Sequence, residues 1–130
     1  MIRRALIALA IAAAPAAPAG AQTLLGEYYS LISPTDMVNS SGVPLRDACA
    51  VLQQDRANYH RFGRRDPGDG PDPWFAAPAA RAVLGTNCRF APGNEYVGQY
   101  IASGRTRAVW VQVYGSGGFP SYVVVHEGAG

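Results

Sequence analysis

The chain has 130 residues, 48% of them hydrophobic, with 11 basic side chains against 9 acidic ones. That length holds one small domain, and a net charge of +2 argues against a general nucleic-acid binder, which needs surplus positive charge to displace counterions. Every basic residue is Arg; a GC-rich coding sequence produces that bias as readily as a need for forked carboxylate or phosphate ligands.

At the N terminus, Arg3 and Arg4 open a short positive region, Ala5 to Ala14 is a ten-residue apolar run, and a Pro/Ala stretch closes on Ala19-Gly20-Ala21. This is the layout of a secretory signal peptide over residues 1–21, expected to be cleaved before Gln22. The apolar run is far short of the about 20 residues that a membrane-crossing helix needs. No membrane span is therefore expected after cleavage, and no Cys lies near the cleavage point to carry a lipid. The remaining 109 residues (130 − 21), positions 22–130, are expected to form a single globular domain in the periplasm or outside the cell. Without Arg3 and Arg4 its charges balance at nine basic (11 − 2) and nine acidic. Its two cysteines, Cys49 and Cys88, are an even count in an oxidising compartment and read as one disulfide. Their spacing fits neither a CxxC redox pair nor a thiolate metal site.

Residues 22–43 read as irregular, with a Tyr28-Tyr29 pair and turn signals at Ser33-Pro34 and Asn39-Ser40-Ser41-Gly42. The main helix is expected over about 45–62, with Pro44 in its first turn and Gly63 just past its end. A Gly/Pro/Asp loop follows from Arg64 to Pro73. Shorter helices are expected over about 78–84, closed by Gly85, and over about 94–103, with Asn94 as N-cap and Gly104 as stop. Two strands, about 108–114 and 121–125, then form an antiparallel hairpin around the Gly115–Pro120 loop. The expected fold class is α+β: a helical N-terminal part packed against a C-terminal hairpin, with one disulfide.

Plotted at about 100° per residue, the main helix has an apolar stripe through Leu45, Ala48, Cys49, Leu52 and Tyr59. Arg56 and Asp55 fall inside it and His60 at its border, where the pattern calls for apolar groups. A buried charge is costly unless paired and hydrogen-bonded, so these side chains must meet partners. Two readings follow. In one, the cluster is a polar staple that holds the next loop to the helix, with Asp66, Asp69 and Asp72 as partners for Arg56. In the other, Asp55, Arg56 and His60 face a small pocket beside Trp74.

The strings Asn39-Ser40-Ser41-Gly42, Gln54-Asp55-Arg56-Ala57-Asn58-Tyr59-His60-Arg61-Phe62, Arg65-Asp66-Pro67-Gly68-Asp69 and Trp74-Phe75 together resemble a group of small exported bacterial proteins of unknown function. The likeness covers most of residues 22–130. It implies a whole domain and no activity, and it supplies no catalytic residue to carry over.

Chemical motifs are sparse. Asp66, Asp69 and Asp72 lack the alternating register and distant Glu of an EF-hand loop, and Asp-Pro-Gly-Asp-Gly is ordinary turn chemistry. His60 and His126 are the only histidines, too few for a multi-histidine zinc site. Gly115-Ser116-Gly117-Gly118 has neither the spacing of a serine nucleophile elbow nor the Lys-Ser/Thr of a phosphate loop. Trp110, Tyr114 and Tyr122 fit a binding face on the hairpin, or cross-strand pairs packed on the domain's own core. No metal or other cofactor is expected. The first functional expectation is an exported, non-enzymatic domain that binds a secreted or envelope protein or another envelope component, with the hairpin and the Arg64, Arg65 and Trp74 loop as contact surfaces. The alternative is a small hydrolase with Asp55 and His60 as acid and base and Arg56 positioning an anion. Asp55 and His60 lie about 140° apart around a regular helix, which keeps them from touching. A hydrolase also needs a cleft here, and a buried, mutually satisfied Asp55–Arg56 pair would speak against it.

Overall fold

The computed structural model describes residues 12–14 and 22–129, so nearly all of the expected signal segment 1–21 lies outside the described residues. Among the described residues the fold is α+β, with three α-helices, a four-stranded mixed sheet and one disulfide. In chain order the elements are β1 (Thr23–Ile32), α1 (Ala48–Ala57), α2 (Pro78–Thr86), β2 (Cys88–Phe90), α3 (Glu95–Ala102), β3 (Arg107–Ser116) and β4 (Phe119–Glu127). A 3-10 turn at Pro34–Asp36 follows β1, and a π-helical turn at Asn58–Phe62 prolongs α1.

The strands lie in the order β1-β3-β4-β2. β1 and β4 both run antiparallel to β3, and β2 lies parallel to β4. Strand side chains alternate between faces, so the fully buried Val109, Val111, Val113, Val123 and Val125 form one apolar face with Tyr28 and Ile32. Val51 and Leu52 of α1, Leu84 of α2, Val97 and Ile101 of α3, and Phe75 pack onto it. The Cys49–Cys88 disulfide, with Cα atoms 5.8 Å apart, ties the first turn of α1 to β2.

Several expectations are corrected. Residues 22–43 are not irregular throughout, because β1 occupies Thr23–Ile32 and makes the hairpin the middle of a larger sheet. The period-2 signal of β1 is broken by a bulge between Leu24 and Gly26, and by Ser30, a polar residue at a buried position. β2 is three residues long and held by non-local pairing, so it has no local signature. The hairpin strands are longer than expected, and only Gly117 and Gly118 turn between the paired Ser116 and Phe119. Both glycines have positive φ (60° and 78°), as a two-residue turn matched to the strand twist requires.

The helices shift as well. The main helix starts at Ala48, where Asp47 caps the Cys49 N–H, while Pro44 bridges to Val38 instead of opening the helix. Its last turn is π-helical and ends at Gly63 in the left-handed region (φ 63°). α2 runs through Gly85 to Thr86, and the missing Cβ of Gly85 makes room for Gln53. Asn94 precedes α3 but does not cap it; its Oδ1 accepts from the Glu127 N–H of β4. Among the described residues no helix is long and apolar enough to cross a membrane.

Candidate functional site

The polar cluster is organised by Arg56, which is fully buried at the C-terminal end of α1. Its guanidinium lies between the rings of Tyr28, at 4.4 Å, and Tyr59, at 4.5 Å. Nε donates to Asp55 Oδ2 (2.8 Å), Nη1 to Gly70 O (2.9 Å) and Asp72 Oδ2 (3.0 Å), and Nη2 to Ser30 Oγ (3.1 Å). The helix, the loop and the first strand thus meet at one side chain. Arg has five donors and no acceptor, which suits a position ringed by carboxylates and a carbonyl. The π turn brings Tyr59 over Arg56, and Arg65 also stacks on Tyr59 at 4.0 Å.

The loop from Gly63 to Trp74 has no ladder of its own, and its aspartates supply the missing partners. Asp69 Oδ1 accepts from the Leu31 N–H and lies 2.9 Å from Ser30 Oγ, and its Oδ2 accepts from the Asp66 N–H. The Gly70 N–H donates to Tyr29 O (2.7 Å), a close approach of two backbones in which a Cβ on Gly70 would sit 3.1 Å from that oxygen. Asp72 Oδ1 accepts from the Trp74 and Phe75 N–H groups, while its Oδ2 accepts from Arg56 and from His60 Nε2 (2.6 Å). Asp66 Oδ2 takes the Ser33 hydroxyl (2.6 Å), and buried Asp36 accepts from the Ser33 N–H and from Asn58 Nδ2. The loop is fastened along the outer edge of β1.

Burial pushes the Asp55 carboxyl up to about 7, with Arg56 only partly offsetting it. Burial likewise raises Asp36 to about 6, against the Ser33 and Asn58 hydrogen bonds. At Asp72 burial also acts upward, but the Phe75 N–H, His60 and Arg56 outweigh it and hold the carboxyl below its ordinary value.

Asp55, Arg56 and His60 are brought together, but through intermediaries: Arg56 bonds Asp55, and Asp72 joins Arg56 to His60. Of the three loop aspartates, Asp72 contacts Arg56 directly, Asp69 reaches it through Ser30, and Asp66 bonds Ser33 instead. Trp74 is half-buried against Gly26 of β1 and edge-on to Phe75. Arg64 stays exposed near Phe62. Ser30, Tyr28 and Tyr59 complete the cluster. The doublet Tyr28-Tyr29 and the spacing of Tyr59 from Arg56 were visible, but nothing local marks Ser30 as an interior residue. Surface cavities of about 300, 310 and 240 Å³ occur on the molecule. None of the three takes Asp55, Arg56 or His60 into its lining; the smallest borders Tyr29, Ser30 and Gly68.

A second constellation lies on the other face of the sheet. The strand residues that alternate with the buried valines are Glu27, Tyr29 and Leu31 on β1, Trp110, Gln112 and Tyr114 on β3, and Tyr122, Val124 and His126 on β4. Tyr29, 51% exposed, stacks on Trp110 with centroids 6.4 Å apart, and Trp110 meets the His126 ring at 4.3 Å. Tyr114 and Tyr122 stack in parallel at 4.9 Å, and Arg89 of β2 lies over Tyr122 at 4.3 Å. His126 Nε2 and Gln112 Oε1 are 2.7 Å apart. The chain matches no known protein family, no curated protein and no solved structure.

Proposed function

We propose that this chain is an exported domain that works by binding, and that it meets a polysaccharide of the cell envelope on the helix-free face of its sheet. The carrying observation is the row of rings there. Tyr29, Trp110 and His126 run across three strands, with Tyr114 and Tyr122 beside them. Sugar rings combine an apolar C–H face with a hydroxyl rim. Aromatic side chains supply the matching apolar area with few rotors to freeze, and Glu27, Gln112 and Arg89 supply polar groups at their borders. Export rests on the signal-peptide layout of residues 1–21 and on the Cys49–Cys88 bridge. The resemblance to small exported proteins points the same way.

Two features favour this face over the loop surface expected from sequence: Arg65 and Trp74 are engaged with Tyr59 and β1. The burial of Asp55 and Arg56, each satisfied within the protein, weighs against the hydrolase alternative. Co-sedimentation with insoluble envelope polysaccharide tests the proposal. The wild-type domain is expected in the pellet, and Tyr29→Ala with Trp110→Ala is expected to weaken retention at least about tenfold, the equivalent of about 1.4 kcal/mol. Equal retention of the double variant, with its fold intact by circular dichroism, would overturn the assignment.

A further inference from the structure

The Ser30 hydroxyl has more neighbours than its single proton can serve. Its Oγ lies 2.8 and 2.9 Å from the two oxygens of Asp55, 2.9 Å from Asp69 Oδ1, and 3.1 Å from Arg56 Nη2. A hydroxyl donates one hydrogen bond and accepts two. Arg56 occupies one acceptor position, and the hydroxyl proton serves one carboxyl. If both aspartates were ionised, the other carboxylate would face Ser30 Oγ across a buried oxygen–oxygen contact with no hydrogen between them. One additional proton completes the set.

The remaining hydrogen bonds decide which carboxyl carries it. Both Asp69 oxygens already accept backbone N–H groups, from Leu31 and Asp66, so each is engaged as an acceptor. Asp55 has a donor only at Oδ2, from Arg56, which leaves Oδ1 at 2.8 Å from Ser30. We propose that Asp55 is held protonated in the folded protein, and that the chain Asp55 Oδ1–H to Ser30 Oγ–H to Asp69 Oδ1 forms a pH-sensitive latch closing the Gly63–Trp74 loop onto β1.

The surrounding charges agree with this assignment. Arg56 keeps a carboxylate partner in Asp72, which also accepts from His60. Burial, Asp36 on the 3-10 turn and Asp69 on the loop all disfavour a negative charge at Asp55, and Arg56 on α1 opposes them. From β1, the Tyr28 phenol is raised by burial and stays neutral. Asp66, the other carboxylate of the loop, faces Ser33.

The sign of the pH effect follows. The folded chain keeps a proton on Asp55 that the unfolded chain gives up near the ordinary 3.8. Stability from this group is therefore complete below that value and is lost as pH rises through the folded value. Deprotonation removes the donor to Ser30 and sets a buried anion against Asp69, so the loop loosens at its Leu31 and Gly70 contacts first. The loop covers the edge of the strand that carries Tyr29, so the latch acts next to the proposed binding face.

Thermal unfolding of wild type and Asp55→Asn between about pH 5 and about pH 9 tests the latch, together with amide exchange at Leu31 and Gly70. An Asn side chain can accept from Arg56 and donate to Ser30, as the protonated acid does. Wild-type Tm is expected to fall and loop exchange to quicken across neutrality, and the variant to lack that part of the fall, leaving only the share of Asp36. A variant less stable than wild type throughout, beside a wild type whose Tm rises across the same range, would instead describe an ionised Asp55–Arg56 pair and overturn the latch. Should the variant not fold, a carboxyl-carbon NMR titration of the wild type decides: Asp55 still protonated at about pH 6 supports the latch, and Asp55 ionised there refutes it.

Discussion

Arg56 bonds three separate parts of the chain: Asp55 on its own helix, Ser30 on β1, and Gly70 and Asp72 on the loop. Removing such a group strands several buried acceptors at once, and that cost exceeds the value of any single bond. Arg56→Met preserves much of the side-chain volume between Tyr28 and Tyr59 but offers no donor. It is expected to lower stability by about 3–5 kcal/mol, read as a drop in the urea midpoint. A loss under about 1 kcal/mol would mean that the loop is fastened by Asp69 and Gly70 alone. At this scale much was legible: a charged pair inside an apolar helical stripe, next to an Asp-rich loop, implies burial with loop partners. Ser30 was not, because a lone Ser fits a turn, a surface or an interior equally well until its partner is known.

At the scale of elements, the loop acts as a covering for the exposed edge of β1, and it is fixed differently at its middle and at its C-terminal end. Asp69 and Gly70 bond the strand backbone near Tyr29 to Leu31. Trp74, oriented by Asp72 through its N–H, lays its indole on Gly26. An unpaired strand edge templates association, and this loop occupies that edge in its place. The fit at Gly26 is close: a Cβ there would lie 2.7 Å from Trp74 Cη2. Gly26→Ala is therefore expected to displace the indole, lowering stability by about 1–3 kcal/mol and changing the Trp emission. Unchanged emission and stability would show that the loop end yields without cost. The same bulge and glycine explain why β1 escaped the sequence reading, since both break the alternation that marks a strand. Helices and hairpin, whose signals repeat every few residues, were legible to within a few positions.

For the whole molecule, what could not be read locally is the strand order. β1 reaches β3 across about 80 residues, and β2 joins the sheet by a short parallel pairing at its far edge. Three residues of parallel ladder are weak on their own, so β2 needs other anchors. Two are present: Asn87 accepts from the Val123 N–H and donates to Ser121 O, and Cys88 is bonded to Cys49 on α1. The disulfide closes a loop of 39 residues, which in the chain-entropy account stabilises by about 4 kcal/mol. That is a large part of the total for a domain of this size. Replacing both cysteines with Ser, or reducing the bond, is expected to lower the urea midpoint by a corresponding amount while Arg56 and the loop keep their contacts. Amide exchange should then quicken at Arg89 and Ala91, on the β2 edge, before it does at Leu31 and Gly70. A loss below about 1 kcal/mol, with the β2 amides still protected, would show that the Asn87 anchors and the packing of α2 on β4 hold this edge without the bridge.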